Sequence, residues 1–157
     1  MISRFTSTLL LAWLLSACSD PGAGLQKPAG FDPTCEGRAD NYFAGMKKTS
    51  ASGDVTIEIV AAEPAPPANS DMNMWTLKLS DGSGAAIEGA DVIGAPFMID
   101  HGHGSPNQIA TEPSAGRYKV GPLALKMAGL WQVTLKVTPV DAKEAVPVVF
   151  YFCIPPA

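Results

Sequence analysis

The chain has 157 residues and a formal net charge of −4 at pH 7, from fifteen Asp or Glu against eleven Lys or Arg. This length predicts one domain. No basic cluster exceeds Lys47-Lys48, which argues against nucleic acid as a partner, and a mildly acidic surface suits cation capture as well as plain solvation.

The first residues are set apart from the fold. Arg4 is the only charge before Asp20, and Leu9 to Leu15 form a short apolar run that includes Ala12 and Trp13. A basic start followed by such a run is the pattern of a secretory leader, too short to span a bilayer. Leu15-Ser16-Ala17-Cys18 resembles the lipobox of bacterial lipoproteins. The resemblance implies removal of residues 1–17 and lipid attachment at Cys18, where several acyl chains together make a stable membrane anchor. The alternative is an ordinary secretory leader that contains a cysteine. Ser19, with Asp20 only after it, points to the outer membrane. The expected location is therefore the bacterial cell envelope, lipid-anchored and facing the periplasm.

Cys35 and Cys153 remain once Cys18 carries lipid. In an oxidising compartment an even pair reads as a disulfide. It would join the start of the domain to its last strand, and chain entropy gives a bridge over so long a loop about 4–5 kcal/mol. Metal binding by these thiols is the alternative, disfavoured by the compartment and by their distance in sequence from both histidines.

Residues 19–33 carry three glycines and three prolines with few large apolar side chains, and are expected to form a tether. Lipidated tether and N-terminal segment together take up 18–50, in which Tyr42 and Phe43 can pack on the domain and a helical turn can precede Gly45. The domain proper is expected over 51–157. Val55, Ile57 and Ile59 alternate with Thr56 and Glu58, the period of a half-buried strand. Pro64, Pro66 and Pro67 end it. Trp75, Leu77 and Leu79 form a second strand, and Asp81-Gly82-Ser83-Gly84 a turn. A third run spans Ala90 to Ile99, where Pro96 suggests an edge strand or a bulge. Gln108 to Thr111 is a short candidate strand and residues 112–116 a turn. Arg117 to Val120 begins another strand, which Gly121-Pro122 is expected to interrupt before Leu123. Trp131, Val133, Leu135 and Val137 give the clearest alternation, with these odd positions facing the core. Val146 to Cys153 is apolar on both faces, which suits a central or doubly covered strand. About seven strands without a long helix predict an all-β, immunoglobulin-like β-sandwich. Trp75 and Trp131 are expected as core anchors.

Both histidines of the chain fall in Met98-Ile99-Asp100-His101-Gly102-His103-Gly104. In an extended segment His101 and His103 share a side while Met98 points away. A bend at Asp100 or Gly102, which glycine makes cheap, would bring the Met98 sulfur to the same ion. Met127, in Lys126-Met127-Ala128-Gly129, can add a second sulfur if its turn lies at the same end of the sandwich. Thioether with imidazole favours copper, Cu(I) in particular, whereas carboxylate from Asp100 would favour zinc or Cu(II). Asp100 can instead orient a histidine from outside the ligand set. The alternative is a flexible polar turn with Met98 and Met127 as core residues. No nucleophile–base–orienter set accompanies the histidines, and no elbow motif surrounds Ser105, so an enzyme is not expected.

Trp75, Asp81-Gly82, Ile87-Glu88-Gly89-Ala90, Met98-x-Asp100-His101-Gly102-His103-Gly104, Gly116-Arg117-Tyr118-Lys119-Val120 and Met127-Ala128-Gly129-Leu130-Trp131 follow one another in an order that resembles the YtkA-like/FixH family of bacterial extracytoplasmic domains. Members often carry prolines where this chain has Ile99 and Ala128, so its two loops are less preorganised while the candidate ligands are kept. The resemblance implies a small β-sandwich and, for some relatives, copper handling near respiratory oxidases. Two functions are therefore carried forward. One is a lipid-anchored module that binds or delivers copper through Met98, His101, His103 and Met127 to a receiving protein. The other is a structural or interaction lipoprotein that docks on a membrane complex without metal.

Overall fold

The computed structural model describes Cys35 and residues 37–157. Expectations for Cys18 and the leader lie outside the described residues. Among the described residues ten strands make two sheets whose neighbours are all antiparallel. The first sheet has the order β1-β2-β3-β8-β7, from β1 (Met46–Thr49), β2 (Val55–Glu63), β3 (Ser70–Asp81), β8 (Arg117–Leu125) and β7 (Thr111–Ser114). The second runs β10-β9-β4-β5, from β10 (Val146–Ile154), β9 (Gly129–Thr138), β4 (Asp91–Met98) and β5 (His103–Gly104), with β6 (Gln108–Ile109) also paired to β4. The architecture is the expected all-β sandwich. Among the described residues no helix is long and apolar enough to cross a membrane.

Period-two sequence becomes a core because alternate side chains of a strand share a face. Val55, Ile57 and Ile59 of β2 and Trp75, Leu77 and Leu79 of β3 are buried from one sheet. Trp131, Val133, Leu135 and Val137 of β9 and Val148, Phe150 and Phe152 of β10 meet them from the other. The odd positions of β9 thus face inward as expected, and both tryptophans are core anchors. Trp75 and Phe152 meet edge to face across the core, with ring centres 5.2 Å apart.

Several boundaries differ from the sequence reading, each for a local reason. β1 adds residues before position 51 to the first sheet: Met46 is buried, while Lys47 and Lys48 hide the alternation. The stretch expected as one strand at 108–111 divides between the sheets. Gln108–Ile109 pairs with β4, and Thr111 onward pairs with β8. The expected turn over 112–116 contracts accordingly to its last two residues. β8 runs through Gly121-Pro122 without a break. β4 is not an edge strand, since β9 flanks one side and β5 and β6 the other. Pro96 is tolerated because its carbonyl accepts Ser105 N–H at 3.1 Å on the β5 side. Its missing donor falls on that same side, away from the β9 ladder. β10 lies at the end of its sheet rather than in the centre.

The exposed edge of β10 is covered by the chain's N-terminal part. Cys35 and Cys153 form the expected disulfide. Asp40 N–H donates to Tyr151 O and its carboxylate accepts Tyr151 N–H, both at 2.8 Å. The Tyr42 hydroxyl accepts Ala62 N–H at 3.1 Å. At the start of β3, fully buried Asn73 takes Ala68 N–H on Oδ1 and donates to the carbonyls of Ala68, Ser70 and Leu123. That side chain replaces ladder bonds where the β3–β8 register shifts.

Asn73→Ala leaves these carbonyls and the Ala68 N–H without their partner, and is expected to lower unfolding free energy by about 1–3 kcal/mol. Denaturant titration measures it, and an unchanged midpoint contradicts the account. A second prediction concerns acid. Glu112 accepts Gly116 N–H and Gly89 N–H on its two oxygens, each at 2.7 Å. These bonds, the one from Gly116 foremost, hold its carboxyl below the ordinary glutamate range. The unfolded chain then binds this proton more readily, so the contribution is present above the ordinary value and is lost as pH falls through the folded one. Glu112→Gln is expected to flatten the acid limb of the stability profile. Identical acid limbs in the two proteins would show that Glu112 contributes nothing there.

Candidate metal centre

The histidine stretch is not extended. Met98 ends β4, Ile99–His101 makes a single 3-10 turn, and Gly102 follows with φ 68° and ψ 24°. Gly102 N–H donates to Met98 O at 3.0 Å and closes the reversal. A left-handed residue of this kind favours glycine. β5 then returns along β4, so that Met98 lies opposite His103 and Phe97 opposite Gly104. Directly opposed residues project from the same face. The bend over Asp100 to Gly102 thus does what a straight strand cannot, and sets Met98 and His103 side by side.

On its other flank Met98 lies opposite Trp131 of β9, which in turn lies opposite Phe152. One row therefore crosses the end of the sheet: His103, Met98, Trp131, Phe152. Met98 and Trp131 are each 1% exposed, while His101 and His103 are exposed. The His103 ring stands edge-on to Trp131, centres 6.3 Å apart, and His101 and His103 have ring centres 5.9 Å apart. Trp131 Nε1–H donates to Met127 O at 2.9 Å. The backbone of Met127, whose side is 39% exposed, is thereby fixed against the same indole. Met98 and His103 thus adjoin Trp131 by register and ring contact, Met127 reaches it through its backbone carbonyl, and His101 lies beside His103.

The spacing of the two imidazoles can be compared with what one shared ion requires. A ring nitrogen holds a metal at about 2.0–2.1 Å, which puts the ring centre about 3.2 Å from the ion, so two imidazoles on one ion have centres roughly 5–6.4 Å apart. The observed separation falls inside that range. Among the described residues no three His, Cys, Asp or Glu side chains group closely enough to hold a metal. Asp100 accepts from Arg38 Nη2 at 2.9 Å. A groove of about 570 Å³ beside the disulfide, lined in part by Tyr42, Pro66, Pro67 and Phe152, includes none of the four candidate ligands.

Sequence reasoning missed Arg38 and undervalued Trp131. Nothing in the spacing joins residue 38 to residue 100. Trp131 reads as a core residue by its alternation, and it is one. It also adjoins His103, Met98 and the Met127 carbonyl, a placing legible only once the register is known.

A Cβ at Gly104 would stand 2.8 Å from Pro96 O, closer than ordinary contact. Gly104→Ala is expected to push β5 off β4 at a cost of about 1–3 kcal/mol and to separate the His103 and Trp131 rings. Proton–proton NOEs between the rings report this, and their persistence at full strength contradicts it.

Along the chain these features run from the first long strands, through the histidine turn, to the tryptophan strand. A family model described as YtkA-like matches residues 49–136, which take in all of these. No curated protein and no solved structure matches the chain. With more than half of its length under that match, and with the turn and Trp131 both inside it, the chain belongs to the YtkA-like family.

Proposed function

We propose that the protein is a lipid-anchored module of the bacterial cell envelope that binds Cu(I) at the histidine end of its sandwich and delivers it to a partner protein. The observation that carries this reading is the row of His103, Met98 and Trp131, with His101 beside it and Met127 bonded to the same indole. Two imidazoles with one or two thioethers match Cu(I) better than zinc, which is ordinarily held by more nitrogen, thiolate or carboxylate donors. Exposed histidines next to a covered sulfur favour exchange with another protein over permanent storage. The reading assigns a binding role and no catalysis. Lipid on Cys18 would hold the domain at a membrane, the outer membrane by the Ser19 expectation, with the 19–33 tether giving it reach.

Docking on a membrane complex without metal is the second reading. It is favoured by apolar exposure on the outer face of the second sheet, at Phe97 and Ile109.

The test is a Cu(I) competition titration of the full chain carrying Cys18→Ala, so that no free thiol competes, with the Cys35–Cys153 disulfide intact. One-to-one binding is expected. His101→Ala and His103→Ala should each weaken it at least about 100-fold, the upper end of what removing even an outer partner of a ligand costs. Met98→Leu, which keeps the core volume, should weaken it without unfolding the domain. Absence of binding above background in the folded protein would sink the Cu(I) reading and favour the docking one.

A further inference from the structure

We infer that Arg38 is a positioning residue for the histidine turn, carried to it by a brace that the Cys35–Cys153 disulfide fastens to β10. The inference rests on the reading of that turn as the metal site. The Gly102 N–H to Met98 O bond closes the turn, but none of Ile99, Asp100 and His101 is buried, so core burial does not fix their side chains. Arg38 meets Asp100, the middle residue of the turn, through the 2.9 Å bond from Nη2 to Oδ1.

The Arg38 backbone is itself anchored on both sides. Cys35 is bonded covalently to Cys153, and Arg38 N–H donates to Cys35 O at 3.0 Å. Asp40 is held by its pair of 2.8 Å bonds with Tyr151, and its carboxylate also meets Lys48 Nζ at 2.6 Å. Both anchors lie on β10, two strands away from β4 in the order β10-β9-β4-β5. The brace therefore spans the end of β9, where Trp131 lies, and reaches the turn from the opposite edge of the sheet. An exposed ion pair contributes little when two free side chains must be frozen to form it. Here the backbone of one partner is already immobilised, so less freedom is lost. The arrangement of His101 and His103 thus depends on a disulfide between residues 118 positions apart in sequence.

Charge and positioning predict opposite signs. Removing the Arg38 cation by itself would raise the affinity for a cation, whereas loosening the turn lowers it. The experiment uses the full chain with Cys18→Ala and reads two quantities. One is the set of NOEs between His103 and Trp131 in the metal-free protein. The other is Cu(I) affinity against a chromophoric chelator. Arg38→Met and Asp100→Asn are each expected to weaken the ring contact and to lower affinity about two- to fivefold, the range of an exposed pair. The double variant should be no worse than either single one, Arg38→Lys should fall between, and thermal midpoints should stay together. Unchanged NOEs and affinity in Arg38→Met, a rise in its affinity, or additive losses in the double variant would overturn the inference. If the parent protein takes up no Cu(I), the metal reading fails by itself and the ring contact alone decides: weakened in Arg38→Met it upholds the brace, unchanged it removes it.

Discussion

The contact between Trp131 and the row beside it is the constraint on which the candidate site depends. A tryptophan at this point of β9 is first a packing element: it is buried, lies opposite Phe152 on one side and Met98 on the other, and closes one end of the core. Its size makes it useful twice. Its buried area is where it stabilises the fold. The indole nitrogen needs an acceptor when buried, and it takes the carbonyl of Met127. The ring also meets His103, the two planes nearly perpendicular. One side chain therefore ties together the Met98–His103 segment and the turn before β9, which between them carry all four candidate ligands.

The rest of the sandwich supports that end by ordinary means. β10 would be an open edge, and a strand edge is a hazard unless covered. The N-terminal part covers it through the disulfide and the Asp40–Tyr151 bonds. The same cover brings Arg38 to the histidine turn. Edge protection and the placing of a candidate ligand loop are thus linked in one segment. Asn73 works at the opposite sheet in a related way, supplying bonds where the β3–β8 ladder loses register.

The sandwich was legible in the sequence wherever one face is apolar and the other is not. Ile57, Trp75, Leu77, Val133 and Leu135 announce their strands because alternation at period two is a direct record of burial. β1 was hidden because two lysines follow its one buried residue, and β5 because two residues carry no period. The switch of the chain from one sheet to the other at Ala110 leaves no mark in composition. For β10 the apolar pattern left a central and a covered strand open, and it is an edge strand flanked by Cys35 and Asp40. At the site, residue types named the donors and glycine suggested a bend, but Met98 next to His103 is a fact of register, which sequence spacing across a turn does not fix. The pairing of Arg38 with Asp100 is more distant still, since it passes through a disulfide to another strand.

Membership of the YtkA-like family sets the domain type, and the proposed copper chemistry rests on how this chain arranges its own donors. X-ray absorption of the Cu(I)-loaded full chain, with Cys18→Ala and the disulfide intact, tests that arrangement most directly. The account predicts a first shell that mixes imidazole nitrogen with thioether sulfur, and loss of the sulfur contribution from Met98 in Met98→Leu. A shell of nitrogen and oxygen alone, or one unaltered by that substitution, would contradict it.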